Sequence, residues 1–494
     1  MSITITLTPS DLTKIRDMDP RVQSYNIEMT ELTGGTFWKP YTKEQVEGTE
    51  PFPMCDDPKN MMAILHSLHV KQPAINLYEP RIRTLAKALG PVVIRFSGSW
   101  ATRTYYDFDG HTNGIVPDGF EYVLTKEQWQ GALDFVKEVG AQILVSVANS
   151  YGVHENGTGA WMPDQAKLLW DYTAEQGLTI DYAEFMNEPN LLAGVMLPEG
   201  YGAEEFARDH DLFAKWLANN HPETKLVGIA AADSPRSAMV GGNMMHLITC
   251  KDLMDPMTEM PKIFSYHSYT GISERGALFG CHYQPEQALT EEYLGLTMKD
   301  LDYYAQIRDR YCPGSDLWIT ESADGACGGN TWAPTFMEVF RYLDEMARFC
   351  TKTNGIIFHN TLASSAYGLL EAETHLPRPQ YWAGLLFEQL TGSEVYDTHE
   401  PIREGVHLYA FSRKDGKSGA CYLHINNSKT ETVYLKVPNC ICYMLSSDYL
   451  RSQDIKLNGR TLAMPDACTL PDLSGVPVSG TVEVPPATCT FFVV

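Results

Sequence analysis

The chain is short of positive charge. Its 494 residues hold 38 Lys and Arg against 62 Asp and Glu, a formal net charge of −24. A surface of that sign repels nucleic acid and anionic membranes and excludes both as partners. It also repels a polyanionic polysaccharide unless a cleft carries local positive potential. No run approaches the ~20 apolar residues of a transmembrane helix. The start, Met1-Ser-Ile-Thr-Ile-Thr-Leu-Thr-Pro9, lacks a basic segment followed by an apolar one, so it reads as a strand and not as a signal peptide, and a cytoplasmic location is expected. The 11 cysteines are odd in number and follow no framework spacing, which fits free thiols in a reducing compartment. Cys440-Ile-Cys442 has no matching second pair, so no zinc site is expected, and no metal or organic cofactor. A composition 44% hydrophobic and 20% charged excludes disorder and coiled coil.

What is present is a rhythm. Short apolar strands begin near residues 22, 92, 141, 179, 225, 262, 316 and 355. Helical spacing is read at 59–70, 126–139, 162–176, 202–220, 240–255, 290–311, 332–352 and 381–390. Eight strand–helix units over roughly 370 residues predict a (β/α)8 TIM barrel at 21–392. The segment 34–53 reads as a long loop. After residue 393 the period changes to two, with turns at Lys414-Asp-Gly-Lys and Leu457-Asn-Gly-Arg, which predicts an antiparallel β-sandwich domain at 393–494. The strand in residues 1–20 has no neighbour of its own and is expected to join that domain.

Glu188 lies in Phe185-Met-Asn-Glu-Pro-Asn190. The segment from Leu178 alternates like a strand and breaks at Pro189, which cannot donate to a sheet. Glu188 is therefore placed at the end of strand 4, beside the amide of Asn187. Leu317-Trp-Ile-Thr-Glu321 ends strand 7 in a second acid. In a barrel enzyme the C-terminal strand ends carry the chemistry. Two carboxylates there suffice for retaining glycoside hydrolysis, one as acid/base and one as nucleophile. Glu188 is assigned the first role and Glu321 the second, with Asn187 on the sugar 2-hydroxyl. A solvated acid in an Asn-Glu-Pro turn is the plain alternative for either residue taken alone.

These segments, with Leu85-Ala-Lys-Ala-Leu-Gly-Pro-Val-Val-Ile-Arg95-Phe-Ser-Gly-Ser99, Glu321-Ser-Ala-Asp-Gly-Ala-Cys-Gly328-Gly329, Ala366-Tyr367-Gly and Tyr381-Trp-Ala-Gly-Leu-Leu-Phe-Glu-Gln-Leu-Thr-Gly392, resemble glycoside hydrolase family 79, the heparanase and β-glucuronidase family. The resemblance spans the barrel and its exit into the β-domain. It implies that Glu28 binds sugar hydroxyls, that Ser99 contacts the first sugar, and that Tyr269 lies by the nucleophile. It further implies that Gly328, Gly329 and Tyr367 receive a uronate carboxylate. Backbone N–H groups with no Cβ in the way approach an anion closely without a basic side chain, so this mode suits an acidic chain. Glu28 could instead pair with Arg95, and Tyr266 and His267 compete with Tyr269. His267 and His359 read first as strand-end packing. Gly328-Gly329 could be only a flexible loop, and Tyr367 a packed aromatic at the barrel mouth. The chain departs from the family at Ser97-Gly98, where a Gly-Gly pair is common.

The expected substrate is a terminal β-D-glucuronide, cleaved by double displacement. The same two acids serve β-xylosidases, arabinofuranosidases and β-glucosidases of the clan, and an endo-acting heparanase-like glucuronidase. A non-catalytic carbohydrate-binding barrel is the reading from outside enzymology.

Overall fold

A computed structural model describes residues 3–54, 64, 67–192, 196–235, 247–278 and 280–494. The first strands, β1 (Ile3–Thr6) and β2 (Thr13–Asp17), lie outside the barrel. The barrel opens with β3 (Gln23–Glu28). A hairpin of β4 (Gly35–Trp38) and β5 (His69–Gln72) follows, then the barrel strand β6 (Val93–Ser97). A two-stranded ribbon, β7 (Thr104–Asp107) and β8 (Tyr122–Thr125), precedes β9 (Gln142–Ser146). Next come β10 (Tyr182–Glu184), β11 (Lys225–Ala231), β12 (Ile263–Ile272), β13 (Asp316–Ala326) and β14 (Ile357–His359). The eight strands β3, β6 and β9 to β14 are all parallel and close on one another through β14–β3 and β9–β10. The expected TIM barrel is therefore present, with each of its eight strands where the apolar runs placed it.

The barrel is filled, not hollow. Val93, Leu144, Tyr182, Val227, Ile263, Trp318, Ile356 and Phe358 form one buried cluster drawn from the barrel strands, with the Tyr182 and Trp318 rings 4.9 Å apart. Outside it, helices present apolar stripes to the sheet. The helix Lys126–Val139 shows why the pattern was readable. Thr125 and Gln128 form a capping box at its start, Gly140 ends it at φ 75°, and Trp129, Leu133 and Val136 are buried.

Several elements differ from expectation. Residues 34–53 are not all loop, because Gly35–Trp38 pairs with His69–Gln72 and Lys43–Glu47 is helical. The helix expected at 59–70 lies mostly outside the described residues, and its last two positions belong to β5. Of 240–255, the structure describes a helix only over Cys250–Met254, with 236–246 outside the described residues. The helix at 290–311 is divided at Gly295. An unanticipated helix, Pro80–Ala88, starts on a proline with its N-terminus capped by Glu79.

The C-terminal strands are β15 (Thr391–Asp397), β16 (His407–Arg413), β17 (Cys421–Asn426), β18 (Val433–Ser446), β19 (Lys456–Leu457), β20 (Arg460–Thr461), β21 (Val476–Val484) and β22 (Thr488–Val493). They pair antiparallel with one another, and β18 runs from a half paired with β21 into a half paired with β22. Strand β1 adds to β18 in parallel and β2 adds to β15. One face of this sheet packs on the barrel, where Phe387 and Phe411 meet at 5.2 Å.

A polar cluster fastens the same junction. His407, on β16, directs Nδ1 at Asp344 (2.6 Å) and Nε2 at Glu291 (2.7 Å), both on the barrel side. Burial would push its pKa down, but Asp344 and Glu291 outweigh burial and raise it to about 9. A raised folded pKa means stability fully present below pH 6.5 and lost as pH climbs to about 9, worth about 3 kcal/mol at most. The midpoint of thermal unfolding should therefore fall between pH 6.5 and 9.5 in the native chain and much less in His407→Gln. Equal declines in the two proteins would show that the cluster does not carry the effect.

Candidate active site

The C-terminal ends of the barrel strands converge on a cavity of about 170 Å³. Its wall includes Glu28, Ser99, Asn187, Glu188, Tyr269, Glu321 and Tyr367, so seven of the nine residues singled out in the sequence meet there. Each arrives by a different route. Glu28 is the last residue of β3 and caps the short helix Met29–Thr33. Tyr269 and Glu321 sit inside strands, because β12 and β13 run on past the barrel as a paired ribbon to Ile272 and Ala326. Glu321 thus lies at the barrel rim but not at a strand end. Glu188 does not end its strand either. β10 stops at Glu184, and Glu188 follows four residues later at φ 45°. That left-handed backbone, just before Pro189, turns the carboxylate into the cavity.

One buried cation organises the carboxylates. Arg95, fully buried on β6, donates from Nε to Glu184 (2.8 Å), from Nη1 to Glu321 Oε1 (2.9 Å) and from Nη2 to the Asn187 amide oxygen (2.8 Å). It is therefore not the partner of Glu28. Nη2 also approaches His267 Nε2 at 3.4 Å. A guanidinium only donates, so Nε2 accepts and the ring proton is on Nδ1. Nδ1 lies 2.9 Å from Glu188 Oε1 and 3.5 Å from Glu321 Oε2. His267, read from sequence as packing, stands between the two acids. Tyr266 instead points out of the barrel and stacks on Tyr304 at 4.5 Å. His359 does pack, with Nε2 on the Tyr367 carbonyl (2.7 Å) and a pKa pushed by burial to about 3.

The electrostatics separate the acids. Burial alone would raise Glu321. His267 and then the positive charge of Arg95, with hydrogen bonds from Tyr269 (2.6 Å) and Arg95, outweigh it and hold Glu321 below the usual carboxylate range. Glu28 goes the other way. Burial, then the charge of Glu321, raise it well above the ordinary value, against a hydrogen bond from Asn360. Burial likewise raises Tyr269 and Tyr367 far up, so both remain hydroxyl donors.

Asn360 carried no signal in the sequence, being one amide after an apolar strand. Its Nδ2 reaches Tyr269 (2.9 Å), Tyr367 (3.2 Å) and Glu28 (3.2 Å), and its oxygen accepts from Asn26 (3.0 Å). Trp38 and Trp100 are further wall residues that sequence reasoning missed. Gly328 and Gly329 stand just behind the wall at φ 84° and 80°. The Gly329 N–H is already given to the Gly325 carbonyl (3.0 Å). The Gly328 N–H is accepted by none of the described residues, so of the two amides only this one is uncommitted.

One oxygen of Glu188, one of Glu321 and Nδ1 of His267 lie within 4.8 Å of one another. Three such atoms are close enough to grip a cation, but Arg95 bonds one of the acids directly and opposes a second positive charge there. Asp107, Asp109 and His111 form the other such group among the described residues, and Asp109 and His111 are exposed and already bonded to each other.

Gly98 explains the departure from the Gly-Gly pattern. Its φ is 90°, and a Cβ there would lie 2.0 Å from Glu28 Oε2. Glycine is needed at 98, whereas Ser97 sits in the strand. Gly98→Ala should displace Glu28 and lower kcat/KM at least about tenfold, roughly 1.4 kcal/mol, with the melting temperature as the control for folding. Unchanged kinetics would mean that Glu28 is not held by this contact.

No protein-family model matches the chain. Heparanase-like protein 1 of Arabidopsis thaliana is 24% identical over 398 residues, covering 77% of this chain and 70% of the relative. Baicalin-β-D-glucuronidase of Scutellaria baicalensis is 22% identical over 433 residues, 80% of this chain and 78% of its own. Among solved structures, a 4-O-α-L-rhamnosyl-β-D-glucuronidase from Fusarium oxysporum superposes over the whole of both chains with a TM-score of 0.65 at 10% identity, a likeness of fold. Along most of its length the chain thus resembles in sequence the heparanases and β-glucuronidases of glycoside hydrolase family 79, and its fold is that of barrel glycosidases.

Proposed function

We propose that the chain is a retaining β-glucuronidase that removes a terminal glucuronic acid from a glucuronide. The observation that carries this reading is the pair Glu188 and Glu321, with carboxylate oxygens within 4.8 Å across one cavity. So short a separation suits direct attack by one carboxylate on the sugar, in line with the ~5–5.5 Å between carboxyl groups of retaining enzymes and short of the ~6.5–9.5 Å of inverting ones.

Glu321 is the nucleophile. Arg95 and Tyr269 hold one oxygen each, so it is ionised and aimed. It attacks the anomeric carbon while Glu188 protonates the leaving oxygen. Glu188 then removes a proton from water, and the water displaces the sugar from the Glu321 ester. His267 directs Nδ1–H at Glu188 and orients it in both steps. Asn187, turned by Arg95, offers its amide N–H to the 2-hydroxyl. Glu28, protonated, both donates to and accepts from sugar hydroxyls.

A glucuronide is favoured by the relatives named above and by two donors, the uncommitted Gly328 N–H and the Tyr367 hydroxyl. Terminal cleavage is favoured by the size of the cavity. About 170 Å³ suits a single sugar ring and falls below the ~300–1,000 Å³ of pockets that take drug-sized ligands. The β4–β5 hairpin shuts one side, with Phe37 edge-on to Trp100 at 4.9 Å and Trp38 over Gly328. An endo-acting reading has one observation in its favour. A wider hollow of about 550 Å³ lies beyond the same two side chains and would take further sugars if the hairpin parted.

Glu188→Gln and Glu321→Gln should each lower turnover of an aryl β-D-glucuronide at least about a thousandfold, and near-native rates in either would end the assignment. On a glucuronic-acid-containing oligosaccharide, the native protein should release the monosaccharide from one end only; internal fragments would favour the endo-acting reading. Because Glu321 titrates below its ordinary value, the acid limb of kcat/KM should lie below pH 4.5, and a limb set by Glu321 near pH 6 would contradict the proposed role of Arg95.

A further inference from the structure

Among the described residues, Arg275 is a buried cation without a counter-ion. It lies in the turn Glu274–Gly276 that follows β12, and it is 3% exposed. Its hydrogen bonds to described residues all go to carbonyl oxygens: Nη1 to Gly329 (3.0 Å) and Cys327 (3.3 Å), Nη2 to Lys39 (2.8 Å). Nε is buried with no hydrogen-bond partner, and among the described residues the side chain makes no ion pair. The nearby acids are engaged elsewhere, Glu274 with Thr331 and Tyr41, Asp324 with Asn330. The guanidinium stacks 3.7 Å above the Tyr41 ring. A buried charge left unpaired costs several kcal/mol, so its retention calls for a reason.

The geometry of the neighbouring peptide supplies one. The Cys327 carbonyl receives Arg275 Nη1 and the Ser273 hydroxyl (2.9 Å). A planar trans peptide points its N–H opposite to its carbonyl, so the Gly328 N–H is aimed away from Arg275. That N–H is the one that no described residue accepts, and Cys327, on the same peptide, lines the cavity. A Cβ on Gly328 would lie 2.9 Å from Arg275 Nη1 and 2.7 Å from Trp38, so both side chains press on Gly328 with no slack.

We propose that Arg275 is the specificity-determining positioning residue for an anionic sugar. It fixes and polarises the Cys327–Gly328 peptide, and its charge is completed by the substrate's carboxylate on the far side. This rests on the uronidase reading and goes beyond it. It names where an acidic chain of net charge −24 keeps the local positive potential that a uronate needs. Arg275 touches no substrate atom; it acts through one peptide plane.

The test compares an aryl β-D-glucuronide with the matching aryl β-D-glucoside, which differ at the carboxylate alone. In Arg275→Met, the glucuronide should lose at least about 30-fold in kcat/KM, chiefly through KM, while the glucoside loses less than about threefold. The ratio of the two substrates should therefore collapse. If Arg275→Met does not fold, as judged by its melting transition, Arg275→Lys serves in its place. It retains charge but not the fork, and should shift the ratio in the same direction by a smaller factor, about tenfold. An equal loss on both substrates, or an unchanged ratio, would overturn the proposal and leave Arg275 as a structural clamp. Wild-type preference for the glucoside would instead overturn the uronidase reading, and the role of Arg275 with it.

Discussion

The guanidinium of Arg95 is the constraint on which the site depends. It is wholly buried near the barrel rim, and its three nitrogens satisfy Glu184, Glu321 and Asn187 at once. A charge so placed is tolerable only because anions surround it, and the anions are tolerable only because of it. Each hydrogen bond also fixes an orientation. Glu321 is turned toward the cavity and kept ionised. Asn187 is turned so that its N–H faces outward, and His267 is restricted to the tautomer that serves Glu188. The stiffness needed for catalysis is thus a by-product of neutralising one buried charge in a low-dielectric interior.

Around this pair of acids the protein separates protonation states by surroundings and not by residue type. Glu28 and Glu321 are the same side chain. Glu321 has two strong donors and stays charged. Glu28 is pushed well above the ordinary carboxylate range by burial and the charge of Glu321, against one amide from Asn360. A second buried cation, Arg275, stands behind the opposite wall, and the two cations divide the work. In the proposed mechanism Arg95 serves the reacting bond, and Arg275 stands behind the peptide proposed to face the sugar's substituent. An otherwise acidic surface then keeps its positive potential out of solvent, where it would be screened and unselective.

Much of the barrel was legible because each strand is a short apolar run set between helical stretches, and a strand buried on both faces has no polar positions to obscure it. Glu28, Glu188 and Glu321 were legible because an acid at the rim of such a run has few structural uses. The exact endings were not. β10 leaves its ladder at Glu184, and beyond it Asn187 bonds Arg95 and Glu188 adopts φ 45°, none of which shows in hydrophobic period. The β4–β5 hairpin was hidden because its strands are four residues each and lie more than thirty residues apart. Asn360, His267 and Arg275 act through partners on distant strands, so nothing next to them in sequence marks them.

The central claim is that Glu321 forms a covalent bond with a glucuronic acid unit. The most direct measurement is the mass of the protein after incubation with a 2-deoxy-2-fluoro-β-D-glucuronide bearing a good leaving group, followed by peptide mapping. The account predicts one added fluoroglucuronosyl unit, located on Glu321, with loss of turnover in step with labelling. Labelling at Glu188, or hydrolysis without any trapped adduct, would contradict it.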